Sequence, residues 1–377
     1  MDVKTLLKKY QANKCTPDEQ TLIANYIIYV GITPQNLLAM QTDLDELHSE
    51  TVRAHIKTRK MVCLARIAAV AAVIAIVLGM NALTFVPDKD PPAAYANDVH
   101  PGTDKATLTL ANGIKINLSD ARSGPLLKRE GIEITKAEDG TLVYKLTGSN
   151  SNTSSYNTIT TPKGSQYKVI LPDGTRVWLN AASSLSFSTA LKGSAGIRRT
   201  KLVGEAYFEV KKDKAHPFIV TTDQQELEVL GTHFNVSAYS DESAIKTTLL
   251  EGSVRISPLL SHGQATASPV ACGVILKPNQ QSTLIQNNIE IEEADIEEAV
   301  AWKNGEFNFR NEPLGSIMPE LSRWYNIDVV YEDKQLTQKL FGGIISRSQK
   351  LADVLSVFEV TGDIHFKVEG RKVTVVK

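Results

Sequence analysis

The sequence predicts a multi-domain, membrane-anchored chain in four parts. These are a small all-α N-terminal bundle, one transmembrane helix, a long all-β region and a C-terminal α+β module. Three observations carry the prediction. RIAAVAAVIAIVLGMNALTFV, residues 66–86, has no charge after its leading arginine and is long enough to cross a bilayer. From residue 105 to about 290, short apolar–polar alternations recur between Gly, Pro, Asn and Asp, the pattern of many short strands. Past residue 305, strand-like and helix-like segments alternate, as in a small layered module.

Bulk chemistry narrows the function classes. Lys and Arg total 41 and Asp and Glu 42, a formal net charge of −1. Balanced charge gives no general affinity for polyanions, so direct nucleic-acid binding is not expected. Cys15, Cys63 and Cys272 form no Cys-x-x-Cys pair, and the seven histidines are scattered without finger or helical-pair spacing. No metal or cofactor is expected.

The N-terminal segment, residues 1–60, reads as three or four short amphipathic helices. Val3, Leu6, Leu7 and Tyr10 recur at i, i+3, i+4, i+7. Thr16 is an N-cap, Pro17 takes the first helical position and Glu19 completes a capping box. Gly31 is a stop, and Thr33–Pro34 a second start leading into Leu37, Leu38, Met40, Leu44 and Leu47. So short a unit makes a small core. It either completes itself on a partner, as a helix laid in a groove, or forms a self-contained bundle that only anchors the span.

The span is placed at 62–87. At about 1.5 Å per residue, Ile67–Val86 covers roughly the 30 Å hydrocarbon thickness. A buried core helix of a soluble domain keeps one polar face. This run has none before Asn81. Nor does it read as a cleavable signal peptide, because the patterned helical segment comes first. Arg53, Lys57, Arg59, Lys60 and Arg66 precede it, so the N-terminal side is expected in the cytoplasm and the larger C-terminal side outside.

A linker at 88–104 begins with Pro91 and Pro92 and leads into the β-rich region, 105–290. Within YKVILPDGTRVWLN, Tyr167, Val169 and Leu171 share one face of a strand. Pro172, Asp173 and Gly174 form the turn: Pro presets φ, Asp bonds locally and Gly accepts positive φ. LTLANGIKINL at 108–118 repeats the design with Asn112–Gly113 at its tip. Further strands are expected in KLVGEAYFEVK, PFIVTT, LEVLGTHFNVSAY, KTTLLEGSVRI and GVILKP. Leu249 and Val254, on either side of Glu251–Gly252, should face the core. The architecture is a sandwich or a β-solenoid-like stack. Glu205, Glu209, Asp241, Glu242 and Glu251 are present, yet no spacing pairs them for acid–base work, and no nucleophile elbow, zinc helix or phosphate loop occurs.

An acidic helical connector is expected at 291–304 and a βαββαβ module with two helices over a small sheet at 305–377. Leu314, Ile317, Met318, Leu321 and Trp324 share one helical stripe. Pro319 interrupts it, so a kink or a late start at Met318 or Pro319 is expected. The second helix places Leu351, Val354, Leu355 and Phe358 inward, and a hairpin turning at Glu369–Gly370 closes the chain.

Several of these segments resemble a known family. YNTITTPKGSQYKVILPDGTRVWLNAASSLSF, GEAYFEVKKD, PFIVTT, LGTHFNVSAY and TTLLEGSV, spanning 155–256, are similar to FecR-type transmembrane anti-sigma regulators in the form common in Bacteroidetes. WKNGEFNFRNEPLGSIMPELSRWYNIDVVYE and GGIISRSQKLADVLSVFEVTGDIHFKVEG resemble their C-terminal domain, which is like the short module at the N-termini of secretins and TonB-dependent transporters. Two positions depart from the family pattern. Asn279 stands where a Gly is usual, and Ser188–Thr189 follow Phe187 where a Pro is usual. Asn tolerates positive φ, so the first turn should survive.

The resemblance implies a relay. A TonB-dependent outer-membrane transporter would present its periplasmic signalling domain to the exported half. The cytoplasmic helices would hold an extracytoplasmic-function sigma factor, and a single pass through the inner membrane would join the two. The signal would pass as a shift of position or as a cut by regulated proteases. No turnover is expected except on the chain itself. The resemblance also implies a self-cleavage candidate at Gly231–Thr232, by attack of the Thr232 hydroxyl on the Gly231 carbonyl. The bland reading makes Gly231 a tight bend and Thr232 a strand cap. Gly204, Glu205 and Gly252 belong to the same family motifs. The alternatives are a membrane-anchored β-domain enzyme, which needs convergent carboxylates in a cleft, and an envelope scaffold, which leaves the N-terminal helices unexplained.

Overall fold

The strand Arg198–Glu209 belongs to two sheets at once. Its first half pairs with Ser183–Ser188 and, in parallel, with Phe218–Thr221. Its second half pairs with Arg176–Leu179 and His233–Ala238. The change falls at Gly204, where φ is +87°. A Cβ there would meet the Ser183 hydroxyl and sit 2.8 Å from the Ser183 Cα, so the crossing requires glycine. A strand that bends from one sheet into the other ties two packed layers together.

The computed structural model describes residues 98–129, 132–146, 156–188, 196–259 and 273–377. All lie in the compact unit that follows Lys89. The helices expected over 1–60, the apolar run 66–86 and the three cysteines fall outside the described residues. Among those residues no helix is long and apolar enough to cross a membrane.

The β region has two layers. One runs from the hairpin Thr107–Thr109/Lys115–Asn117 through Tyr156–Thr161 and Ser183–Ser188 to Val254–Pro258 and Val274–Leu276. The other runs from Gly124–Arg129 through Ser165–Ile170 to Gln280–Ile285 and Asn288–Glu293. After Arg198–Glu209, successive hairpins go to alternate layers: Phe218–Thr221/Gln225–Val229, His233–Ala238/Ala244–Glu251, Val254–Pro258/Val274–Leu276 and Gln280–Ile285/Asn288–Glu293. The expected alternatives thus meet: the fold is a sandwich in section and advances like a solenoid.

Period-two alternation drives this arrangement, because it gives each strand one apolar side. Leu185, Leu202, Val220, Leu227 and Ile256 from one layer meet Val177, Phe208, Phe234, Val236 and Leu249 from the other, all fully buried. Each such side chain contributes about 1.5–3 kcal/mol on burial. Leu249 and Val254 point inward as expected.

The expected turn design occurs three times. At Asp173–Gly174, Asp173 Oδ1 accepts from the Thr175 N–H (2.9 Å) and Oδ2 accepts from its hydroxyl (2.7 Å). Asp139–Gly140–Thr141 repeats both bonds at 3.0 and 2.9 Å. Asn112 makes the first of them to Ile114. Asn279 holds φ +65° as expected.

Three expectations need correction. Residues 98–104, the described end of the stretch assigned as a linker, are docked: Thr103–Asp104 pairs with Ser165–Gln166, and Val99 is buried. Asp98 Oδ1 accepts from the Ala352 N–H (3.0 Å), capping the helix Leu351–Thr361, whose own N-cap Lys350 makes no side-chain bond. The connector at 291–304 begins inside the strand Asn288–Glu293 and is helical only at Ile296–Val300, with a 3₁₀ turn Ala301–Asn304 after it.

The third correction concerns the module. It runs β-α-β-β-α-β-β, and its strands form two small sheets instead of one. Glu306–Pro313 pairs with Leu340–Ser346, and Lys372–Val376 lies between Asp328–Tyr331 and His365–Glu369. The first helix does not start late: it spans Leu314–Tyr325 with Pro319 inside. Pro319 forfeits one backbone bond, but burial of Leu314, Ile317, Met318 and Leu321 outweighs it.

Candidate functional site

Alternation leaves the second layer with a polar outer face. Across it a cross-strand row runs Lys168, Trp178, Tyr207, Asn235, Thr248, Gln281 and Glu292 in register. Neighbours in the row touch. Trp178 and Tyr207 meet edge to face at 5.6 Å, and the Thr248 hydroxyl donates to Gln281 Oε1 at 2.7 Å. The C-terminal module sits on this face, and the chemistry of the junction lies there.

A closed circuit of hydrogen bonds joins the two parts. Trp302 Nε1–H donates to Asn235 Oδ1 (3.2 Å), and Asn235 Nδ2 donates to Glu205 Oε1 (2.9 Å). Asn180 Nδ2 donates to the other oxygen, Oε2 (2.7 Å). Arg347 Nη2 donates to Asn180 Oδ1 (2.9 Å), and Nη1 returns to the Trp302 carbonyl (2.7 Å). An indole N–H and a guanidinium can only donate, so they orient both amides. Glu205 must therefore accept on both oxygens. Burial pushes its pKa up, and the two amide donors oppose that shift.

Two buried arginines of the module anchor the contact. Arg347 stacks on the Trp324 ring, 3.8 Å from its centroid, and burial lowers its pKa. Arg323 stacks on Tyr239 of the sandwich at 3.8 Å and pairs with Glu242 (2.5 Å) and Asp241 (3.5 Å). Its carbonyl accepts from the Gly164 N–H at 2.7 Å. Apolar contact is slight by comparison. Among the described residues only Val99 and Ala181 enter the module's core cluster from outside it.

Beside the circuit a polar cleft of about 660 Å³ opens between sandwich and module. Carboxylates line both walls: Glu205, Glu242 and Glu292 on one, Glu298, Glu312 and Glu320 on the other, against Lys246 and Arg323. Burial raises the pKa of Glu298, Glu312 and Glu320. Among the described residues no group of His, Cys, Asp or Glu has metal-holding geometry.

The residues singled out in the sequence fall in three places. Gly204 and Glu205 are at the junction. Pro172, Asp173 and Gly174 are at a distant hairpin tip, where Asp173 pairs with the buried Arg198 at 2.7 Å. Gly231, Thr232 and Gly252 come together at a third. Gly231 has φ +147°, and a Cβ there would lie 2.6 Å from the Lys212 Cα. Thr232 is buried, and its hydroxyl donates to the Ser253 carbonyl at 3.1 Å. Gly252, at φ +94°, leaves room for the Thr232 side chain. Sequence reading passed over Asn180, Asn235, Trp302 and Arg347. Of these only Asn235 is on a strand, at an outward position between apolar ones; Asn180 and Arg347 follow strand ends and Trp302 lies on the 3₁₀ turn, where no periodicity marks them.

Family models match both parts of this unit. The FecR protein model covers residues 157–255 and the FecR C-terminal model covers 306–375. The chain belongs to the FecR family. Asn180, Glu205 and Asn235 lie in the first FecR region, Arg347 in the second and Trp302 between them. Two crystal structures of a candidate anti-sigma factor from Parabacteroides distasonis, at 1.65 and 2.50 Å, are similar, each 28% identical with a TM-score of 0.52. They align with 58% and 59% of this chain and with 98% and 99% of their own. No curated protein matches.

Proposed function

We propose that this FecR-family chain is a single-pass inner-membrane anti-sigma regulator. Residues 1–60 bind an extracytoplasmic-function sigma factor in the cytoplasm. The unit after Lys89 stands in the periplasm and receives the signalling domain of a TonB-dependent outer-membrane transporter, so that transcription of nutrient-uptake genes follows transport. One observation carries the reading: both FecR regions occur in one closely joined unit, behind an apolar run of membrane-spanning length. The similarity to the Parabacteroides protein supports the anti-sigma role.

The test is co-purification from the native host with a tag at the C-terminus of the full chain. Recovery of a sigma factor with the full chain, and its loss on deletion of residues 2–60, is the expected result. No sigma factor with the full chain refutes the cytoplasmic half of the proposal. Protease added to spheroplasts should remove the C-terminal tag. A protected tag refutes the orientation.

The same reading makes Gly231–Thr232 the bond to examine for self-cleavage. Attack by Thr232 Oγ1 on the Gly231 carbonyl would form an ester and free the Thr232 amine, and water would then hydrolyse the ester. The tight bend at Gly231, where φ is +147° and the approach to Lys212 leaves no room for a side chain, supports it.

A further inference from the structure

Where the outward row Lys168, Trp178, Tyr207 meets the 3₁₀ turn Ala301–Asn304, a second and smaller pocket opens, of about 180 Å³. Trp178 and Tyr167 line it from the sandwich, and Trp302 and Lys303 from the turn. Its charges fall in two groups. Lys168 and Lys303 both hold their ammonium groups over the Trp178 ring, 5.1 and 4.9 Å from its centroid, and Lys303 lies 4.7 Å from that of Tyr207. Asp104 and Asp139 stand at Tyr167. Asp104 is in register with Gln166, one residue before it, and the Tyr167 hydroxyl donates to the carbonyl of Gly140, one residue after Asp139, at 2.7 Å.

Two charges of each sign thus line one pocket without meeting. Among the described residues Asp104, Gln166, Lys168 and Lys303 form no side-chain hydrogen bond and no ion pair. Asp139 accepts once on each oxygen, from the Thr141 N–H and hydroxyl, and keeps a lone pair on both. The rings offset the lysine charge only in part, because a charge-assisted hydrogen bond to a carboxylate is the stronger contact. Two ammonium groups against one ring also repel each other.

We propose that this pocket binds a free α-amino acid. The ligand's carboxylate lies between Lys168 and Lys303, and its ammonium lies at Asp104 and Asp139. A zwitterion gives each pair the partner it lacks and brings no net charge to a lining whose own charges balance. The volume holds about a dozen waters, which suits one amino acid and not a longer peptide. A sugar fits less well, since the ring on which it would stack is held by two cations. The site goes beyond the regulator reading and does not depend on it. Trp302 is also the indole of the hydrogen-bond circuit, so a ligand seated against the turn binds the docked arrangement in preference to any other and favours it.

The experiment is calorimetric titration of the full chain in detergent micelles with each of the twenty common amino acids. At least one should bind with a Kd of about 1 mM or tighter. Its N-acetyl derivative lacks the ammonium and its amide lacks the carboxylate, so each should bind about tenfold or more weakly, and glucose should give no saturable heat. Lys303→Gln and Asp104→Asn each remove one charge with little change of size, and each should weaken binding about tenfold or more. Saturable heat with none of the twenty overturns the proposal. So does equal affinity for the N-acetyl derivative, the amide or glucose, and so does binding that both variants leave unchanged. The comparison among ligands on the wild-type chain is decisive even if a variant fails to fold.

Discussion

Arg347→Ala is the sharpest test of the junction. The guanidinium is 2% exposed and makes charged hydrogen bonds at 2.7 Å to the Trp302 carbonyl and 2.9 Å to Asn180 Oδ1. Such bonds contribute about 1.5–3 kcal/mol each. Stacking on Trp324 at 3.8 Å adds roughly 1–2 kcal/mol when desolvated. Two effects reduce that sum. Arg347 Nε is buried without a partner, and removing the group recovers its own desolvation. Against this, alanine leaves Asn180 Oδ1 and the Trp302 carbonyl buried without that donor. The net loss should be about 3–5 kcal/mol, because each stranded acceptor adds its own desolvation cost of about 1–3 kcal/mol. The assay is urea denaturation of residues 90–377. Trp302 and Trp324, two of the chain's three tryptophans, lie in the junction, so fluorescence reports there while far-UV dichroism follows the strands. The fluorescence midpoint should fall and separate from the dichroic one. Arg347→Lys, lacking the planar fork, should fall between. Asn180→Ala should cost less beside Arg347→Ala than alone, with a coupling of about 1–3 kcal/mol. A loss under about 0.5 kcal/mol, or full additivity, would refute the circuit, since independent sites are the ones that add.

Other outcomes follow from single positions. Gly204→Ala forces a Cβ against Ser183 at a φ of +87° and should cost at least about 2 kcal/mol, read as a Tm drop of roughly 4–8 °C. Asp98→Ala removes a cap supplied across the sequence and should cost about 1 kcal/mol, seen as faster amide exchange at the start of Leu351–Thr361; unchanged exchange would mean the cap contributes nothing. If the proposed self-cleavage occurs, the full chain tagged at both ends should appear as two fragments in its host and Thr232→Ala as one; full-length wild type rejects the reaction.

The strands were legible because period-two alternation marks a half-buried sheet. Phe234 and Val236 face in, Asn235 and Ser237 face out, and the text shows both. The turns were legible from Asp-Gly and Asn-Gly, although the copy at Asp139–Gly140 passed unnoticed in a stretch of weaker alternation. The split of the module into two sheets was not legible, because pairing partners such as Asp328–Tyr331 and Lys372–Val376 lie far apart in sequence. Docking of Asp98 and Val99 was hidden for the same reason. Prolines read as linker, and nothing local says that Asp98 caps a helix beginning at Leu351. Glu205 was noticed as part of a motif, but its role depends on Asn180 and Asn235, which meet it only across strands.

That separation bears on why the junction is polar. An apolar contact between sandwich and module would tolerate sliding, since dispersion is non-directional. Donor-only groups at two points of the circuit, the Trp302 indole and the Arg347 guanidinium, leave each amide one orientation and turn an N–H of each onto Glu205. A rotation of the module by a few ångströms would strand the Trp302 and Arg347 donors and free both amides together, so the docked arrangement is nearly all-or-none. Such a contact gives less stability than an apolar one of equal size, yet it has a defined alternative that a bound partner can favour. A sensor needs that property more than it needs adhesion: a signal moves an equilibrium only when its two states differ in what they bind.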